Sequence, residues 1–143
     1  MLIKQLSVFI ENRDGRLEKV TEAIKDSNIN IVSVSLADTS EYGMLRMIVS
    51  DPEKARLVLK EEGFSAKLTE VIAVRLPHKI GMLHQLFRAL VEAEISVKYM
   101  YALSTGKDGS MVLKVSDTEK ALVALKENNF EMLKEEEAYT IND

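Results

Sequence analysis

Apolar residues alternate at Leu6, Val8 and Ile10, and again at Ile72, Val74 and Leu76. That is the period of a strand with one buried face. Past a short turn containing Gly15 or Gly81 the period lengthens. Leu17, Val20, Ala23 and Ile24 in one stretch, and Leu83, Leu86, Phe87 and Leu90 in the other, fall on a single helical stripe. A β-branched run from Asn28-Ile29-Asn30-Ile31 to Leu36, broken at Tyr42-Gly43 and resumed from Met44 to Val49, predicts a hairpin. Its later counterpart turns at Gly106-Lys107-Asp108-Gly109. Asp51-Pro52 reads as an N-cap followed by proline in the first helical position, with Asp117 in the matching place. Ala55, Val58 and Leu59, or Ala121, Ala124 and Leu125, then form the inward stripe of a second helix, which ends near Gly63 or Asn129. Residues 66–69 and 138–141 are the candidates for short final strands.

These echoes are a duplication. A shift of 66 aligns residues 4–64 with 70–130 without a gap, and 17 of the 61 pairs are identical. Average residue usage gives roughly four matches by chance. The identities fall where geometry or packing is demanding: Gly15 on Gly81, Ile29 on Ile95, Gly43 on Gly109, and Val49-Ser50-Asp51 on Val115-Ser116-Asp117. Each copy reads β-α-β-β-α-β, the split βαβ unit of ferredoxin-like folds. The expected class is α+β: two such modules in tandem, residues 1–69 and 70–143, with antiparallel sheets and helices on one face. Residues 65–69 leave no room for a flexible linker, so the halves are expected to pack together. The faces away from the helices carry Phe9, Met44 and Ile48 in one copy and Val71, Tyr99 and Tyr101 in the other. Apolar side chains on an uncovered sheet face point to a homodimer or larger assembly.

Composition narrows the function classes. The 143 residues are 46% hydrophobic, enough for a core and against disorder. A net charge of -4 speaks against nucleic acid and anionic membrane as partners, because such binders concentrate Lys and Arg. No cysteine is present, which rules out disulfides and thiolate metal sites. Neither an apolar leader nor a stretch near 18 apolar residues is found, so a cytoplasmic location is expected. No cofactor or metal is expected: His78 and His84 fall in a loop and a helix, with no third ligand in the spacing.

The first strand-turn-helix, Ser7-Val8-Phe9-Ile10-Glu11-Asn12-Arg13-Asp14-Gly15-Arg16-Leu17, followed by Asn28-Ile29-Asn30-Ile31, resembles the ACT domain family of amino-acid-sensing regulatory modules. Ala73-Val74-Arg75-Leu76-Pro77-His78-Lys79-Ile80-Gly81-Met82-Leu83 with Ile95-Ser96-Val97 resembles a second one, so the likeness spans nearly the whole chain. Many ACT domains carry proline before the turn glycine, where this chain has Asp14 and Ile80. The resemblance implies a small effector, usually an amino acid, held where two modules meet, with the glycine loop of one facing strand two of its neighbour. Carried onto this chain, it implies Asn12, Arg13, Asp14, Gly15, Arg16 and Leu17 with Asn28, Asn30 and Ile31 in the first copy. In the second it implies His78, Lys79, Ile80, Gly81, Met82 and Leu83 with Ser96 and Val97.

The chemistry of these residues agrees. Amides at a helix start lack intrahelical partners and donate to a carboxylate, aided by the dipole, and a glycine admits it closely. Asn12, Asp14, Asn28 and Asn30 offer acceptors for an ammonium group near the first turn, which makes the first copy the expected site and the His78 loop the second choice. Taken singly, each of these residues is also explained by turn and capping geometry. The resulting expectation is a non-catalytic regulatory module that answers to an amino acid and acts on a separate enzyme partner. The alternative is a small enzyme on the same fold, such as an acyl-phosphate hydrolase, but neither copy repeats the Arg and Asn pair that such a phosphate loop requires.

Overall fold

The computed structural model describes residues 2–11, 13–38, 41–104 and 109–140. Asn12, Gly106-Lys107-Asp108 and Ile141 therefore lie outside the described residues. The chain divides into two compact units, Lys4–Thr69 and Glu70–Asp143, the latter joined by Met1–Ile3.

The first unit runs β1 (Ile3–Glu11), α1 (Arg16–Asp26), β2 (Ile31–Asp38), β3 (Tyr42–Val49) and α2 (Pro52–Glu61), and leads into β4 (Ser65–Leu76). β3 lies between β1 and β2 and is antiparallel to both, with Val8 opposite Leu45 and Leu36 opposite Leu45 on its other side. Alternation does what the sequence pattern implies. Leu6, Val8 and Ile10 of β1 share a buried cluster with Leu45, Met47 and Val49 of β3, with Val20 and Ile24 of α1, and with Ala55 and Leu59 of α2. Both helices thus cover one face of the sheet.

The second unit repeats the plan with β4, α3 (Met82–Glu92), β5 (Val97–Ser104), β6 (Gly109–Val115) and α4 (Thr118–Glu127), and adds α5 (Glu135–Thr140). β6 pairs antiparallel with β4 and β5. Ile72, Val74, Leu113 and Val115 pack with Leu86 and Leu90 of α3 and Ala121 and Leu125 of α4. The local devices also recur at a spacing of 66. The Asp51 carboxylate accepts from the Lys54 amide at 3.2 Å, and Asp117 from Lys120 at 3.1 Å. Ser50 Oγ holds the Asn30 amide at 2.9 Å, and Ser116 Oγ the Ser96 amide at 3.0 Å. Each of α1 to α4 closes through a left-handed residue followed by a buried apolar one. The Ile29 amide reaches back to the Ile24 carbonyl, Phe64 to Leu59, Ile95 to Leu90 and Phe130 to Leu125, the hydrogen-bond pattern of a Schellman stop.

Two expectations need correction. Residues 66–69 are no separate final strand but the opening of β4, which continues into the second unit. Residues 138–140 are helical, within α5, and not a strand. The place of a final strand in the second copy is taken earlier in the chain: the Arg75 amide donates to the Glu131 carbonyl, the Leu133 amide to the Ala73 carbonyl, and Val74 bridges Met132. Residues 131–133 are the 66-residue counterparts of 65–67, so the repeat itself marks the place. Three glutamates at 135–137 favour a helix start, and Arg75 ties the segment down through Glu131 at 3.2 Å and Glu137 at 2.6 Å.

The apolar faces away from the helices are less open than the alternation implies. Of the six residues expected there, Ile48 and Val71 are already buried within the chain, whereas Phe9 is 46% exposed.

The stop after α3 is the least comfortable of these turns. Glu94 holds φ 58 where its twin Asn28 holds φ 59, and an L-residue without asparagine's local hydrogen bonding is penalised there. Glu94→Gly is expected to raise stability by about 1 kcal/mol, measured by urea unfolding; a loss would mean that the glutamate side chain makes a contact that outweighs the strain.

Candidate functional site

In both units the strand-to-helix connection is the same turn. The Arg13 amide donates to the Glu11 carbonyl at 2.9 Å and the Arg16 amide to Arg13 at 3.3 Å. In the second unit Lys79 donates to Pro77 at 2.8 Å and Met82 to Lys79 at 3.2 Å. Gly15 has φ 83, ψ -5 and Gly81 has φ 87, ψ -3, the conformation of the third residue in a type II turn. Asp14 and Ile80 occupy the second position, where proline is favoured by its fixed φ but not required. The missing prolines therefore leave the turn intact. A Cβ on either glycine would meet nothing within 4 Å, so no side chain packs against the turn itself in either unit.

The candidate residues sort into two groups. Arg13, Asp14, Gly15, Arg16 and Leu17 gather at the start of α1, and His78, Lys79, Ile80, Gly81, Met82 and Leu83 at the start of α3. Asn28, Asn30 and Ile31 lie past the far end of α1, and Ser96 and Val97 past the far end of α3. Eleven helical residues separate the groups, a span of about 16 Å. The expectation that Asn28 and Asn30 crowd the first turn is thus corrected. Asn28 is the left-handed stop of α1 and the Asn30 backbone is engaged by Ser50. A site using both a loop and the start of strand two must draw them from two modules.

What each loop does meet is the other end of strand two. A cavity beside the second loop, about 290 Å³ in volume, is lined by Leu76, Pro77, His78, Lys79, Met82 and Leu83 together with Ala102 at the end of β5 and Gly109, Ser110 and Met111 of β6. The equivalent place beside the first loop is about 40 Å³, lined by Ile10, Glu11, Arg13, Arg16, Leu17, Leu36 and Gly43. The difference has identifiable causes. Leu36 reaches over the strand and its Cδ1 lies 3.2 Å from where a Cβ on Gly43 would sit, whereas its counterpart in the second copy is Ala102. Arg16 also lines the first space, although its guanidinium carbon stands 4.4 Å from the Phe64 ring centre outside it, its buried Nε without a hydrogen-bond partner among the described residues. Met82 takes that place in the second copy and packs against the core. Over Gly109 lies His78, whose Cε1 is 2.9 Å from the position of a Cβ.

The first loop is also the more self-satisfied in charge. Arg13 Nε pairs with Glu11 at 2.8 Å, both side chains more than half exposed, whereas the matching pair in the second copy is Lys79 and Pro77. Ile80 at the second turn is fully exposed. Sequence reasoning missed Leu36, Ala102, Gly43 and Gly109. The signal was the connectivity: a strand, a returning helix and a second strand bring the end of strand two, not its start, back beside the loop. Among the described residues no three metal-ligating side chains come together, and no helix is long and apolar enough to cross a membrane.

Comparison with known proteins agrees with this architecture. The family model of the ACT domain pair matches residues 1–142. A crystal structure of a protein from Bacteroides thetaiotaomicron is similar at 34% identity over 98% of this chain and 97% of its own, with a TM-score of 0.93. The ligand-free regulatory subunit of aspartate kinase from Thermus thermophilus shares the fold at 15% identity, covering 89% of this chain and 93% of that one, with a TM-score of 0.64. The corresponding subunit from Thermus flavus does so at 16% identity, covering 90% and 94%, with a TM-score of 0.59. None of the curated proteins matches significantly.

Because open space surrounds both turn glycines, the cost of a side chain there is conformational alone. Gly15→Ala and Gly81→Ala are each expected to lose about 1–2 kcal/mol of stability, equally within error, by urea unfolding without added ligand. A much larger loss at one of them would reveal packing that the shared turn does not explain.

Proposed function

The chain belongs to the ACT domain pair family, and from that premise we propose that it is a non-catalytic regulatory module of two ACT units, residues 1–69 and 70–143. It binds an amino acid at the loop end of helix one and transmits that event to a separate enzyme partner by a change of assembly or shape. The observation that carries this reading is the cavity of about 290 Å³ at the head of α3, near the lower end of the size range of small-molecule pockets. Helix-start amides and the left-handed glycine supply a carboxylate site at its mouth. The regulatory subunits from the two Thermus species share the fold, which gives the proposed role a precedent without naming the effector.

The chain is proposed to act as a homodimer. Phe9 and Tyr42, 46% and 44% exposed, stack at 5.0 Å between ring centres, with Met44 opposite Phe9 in the sheet. An exposed aromatic pair on the sheet face away from the helices is the kind of surface that a second copy covers.

A thermal-shift screen of the twenty amino acids tests the sensing role. A ligand at a hundredfold excess over its dissociation constant stabilises the folded state by about 2.7 kcal/mol, so at least one amino acid is expected to raise the melting temperature at millimolar concentration. Light scattering on the same samples is expected to give a dimer mass. No shift with any amino acid would remove the proposed role, and a monomer mass would remove the dimer.

A further inference from the structure

The two copies present the same turn to two very different spaces, and the difference names a ligand class. We infer that only the second ACT unit is open to an effector, and that its cavity selects an amino acid with an uncharged, branched or thioether side chain. This rests on the proposed amino-acid-binding role and specifies it.

The lining of the cavity sets that preference. Leu76, Pro77, Met82, Leu83, Ala102 and Met111 present carbon to the space, beside the polar His78 and the buried Ser110. Among the described residues no carboxylate lines it, so among them the ammonium of a basic side chain entering it finds no counter-charge for its desolvation, which is strongly unfavourable. Lys79, exposed at the rim, suits the effector's own α-carboxylate, as do the amides at the head of α3. An aliphatic side chain inserted past Ala102 exchanges water for contacts with leucine and methionine, and methionines adapt to the shape of what they meet. The half-exposed Leu83, which lines the cavity, extends its apolar surface outward.

The first copy shows what closes such a cavity. Leu36 stands where Ala102 stands, three carbons longer, and the space at that position is about 40 Å³, enough for about one water. Arg16 and Glu11 replace Met82 and Pro77, making the same wall charged. Position 36/102 is therefore the determinant of access. A leucine at 102 has a folded precedent in the twin module, and Ala102 is exposed, so Ala102→Leu is expected to fold normally, which a thermal melt without ligand verifies.

Isothermal titration calorimetry on the full chain tests this, with L-leucine, L-methionine, L-lysine and L-aspartate as probes. Leucine or methionine is expected to bind at one equivalent per chain, and lysine and aspartate at least tenfold more weakly. Ala102→Leu is expected to weaken the aliphatic ligand at least tenfold. Leu36→Ala, which leaves the second unit untouched, is expected to retain that affinity. If lysine or aspartate binds best, or if Ala102→Leu leaves leucine affinity unchanged while Leu36→Ala alters it, the selectivity inference is overturned and the sensing role stands. The selectivity inference is overturned in the same way if none of the four binds but another amino acid gives a thermal shift insensitive to Ala102→Leu. Silence from all twenty amino acids overturns the sensing role and this inference together.

Discussion

Each unit exists because two helices lie on one face of an antiparallel sheet, and that layering requires the chain to reverse sharply at fixed points. The reversals are made by residues in the left-handed region, and they come in pairs 66 residues apart: Gly15 and Gly81, Asn28 and Glu94, Gly63 and Asn129. The first pair turns strand one into helix one, and the other two stop the helices so that the next residue, Ile29, Ile95, Phe64 or Phe130, drops into the core. Steric limits on L-residues make these positions hard to exchange. That explains why a duplication whose surface has drifted still repeats its backbone hydrogen bonds residue for residue. Glu94, which holds the conformation without the residue type best suited to it, indicates that the packing on either side imposes the turn.

The function proposed for the chain grows from the same constraint. A turn that needs a glycine in a left-handed conformation leaves the head of the following helix without a side chain in front of it, and that head carries unpaired amides and a positive dipole end. What distinguishes one copy from the other is then decided by the side chains around the opening. Leu36, over Gly43, narrows the first opening, whereas Ala102 leaves the second one free. Duplication supplies two equivalent positions, and a pair of substitutions turns one into structure and the other into a candidate receptor.

Most of the fold is legible in the sequence because period-2 and period-3.6 patterns, left-handed glycines and aspartate caps are local signals, and the repeat allows each half to correct the other. The end of the second copy is the exception, because residues 138–141 lie beyond the aligned repeat. Ala138 and Tyr139 are apolar enough for a strand or a helix; the acidic first turn at 135–137 and the contacts of Arg75 with Glu131 and Glu137 accompany the helix. The candidate site is legible at the loops and not beyond them. Gly15 and Gly81 announce themselves, but which strand end lies beside them depends on the path of the chain, and Asn28 and Asn30 stand about 16 Å from the turn that their polarity suggests they serve. Counting polar residues favours the first copy. Side-chain volume at one position, Leu36 against Ala102, is what leads the inference proposed above to the second copy.

If the head of α3 is where an amino acid is recognised, amide-resolved NMR during a titration with L-leucine shows it most directly. Chemical-shift changes are expected to centre on the amides of Gly81, Met82 and Leu83 and on Ala102 and Met111, with the amides of Gly15 to Leu17 nearly unmoved. Changes centred on the first turn, or spread over residues remote from both turns, would contradict recognition at α3.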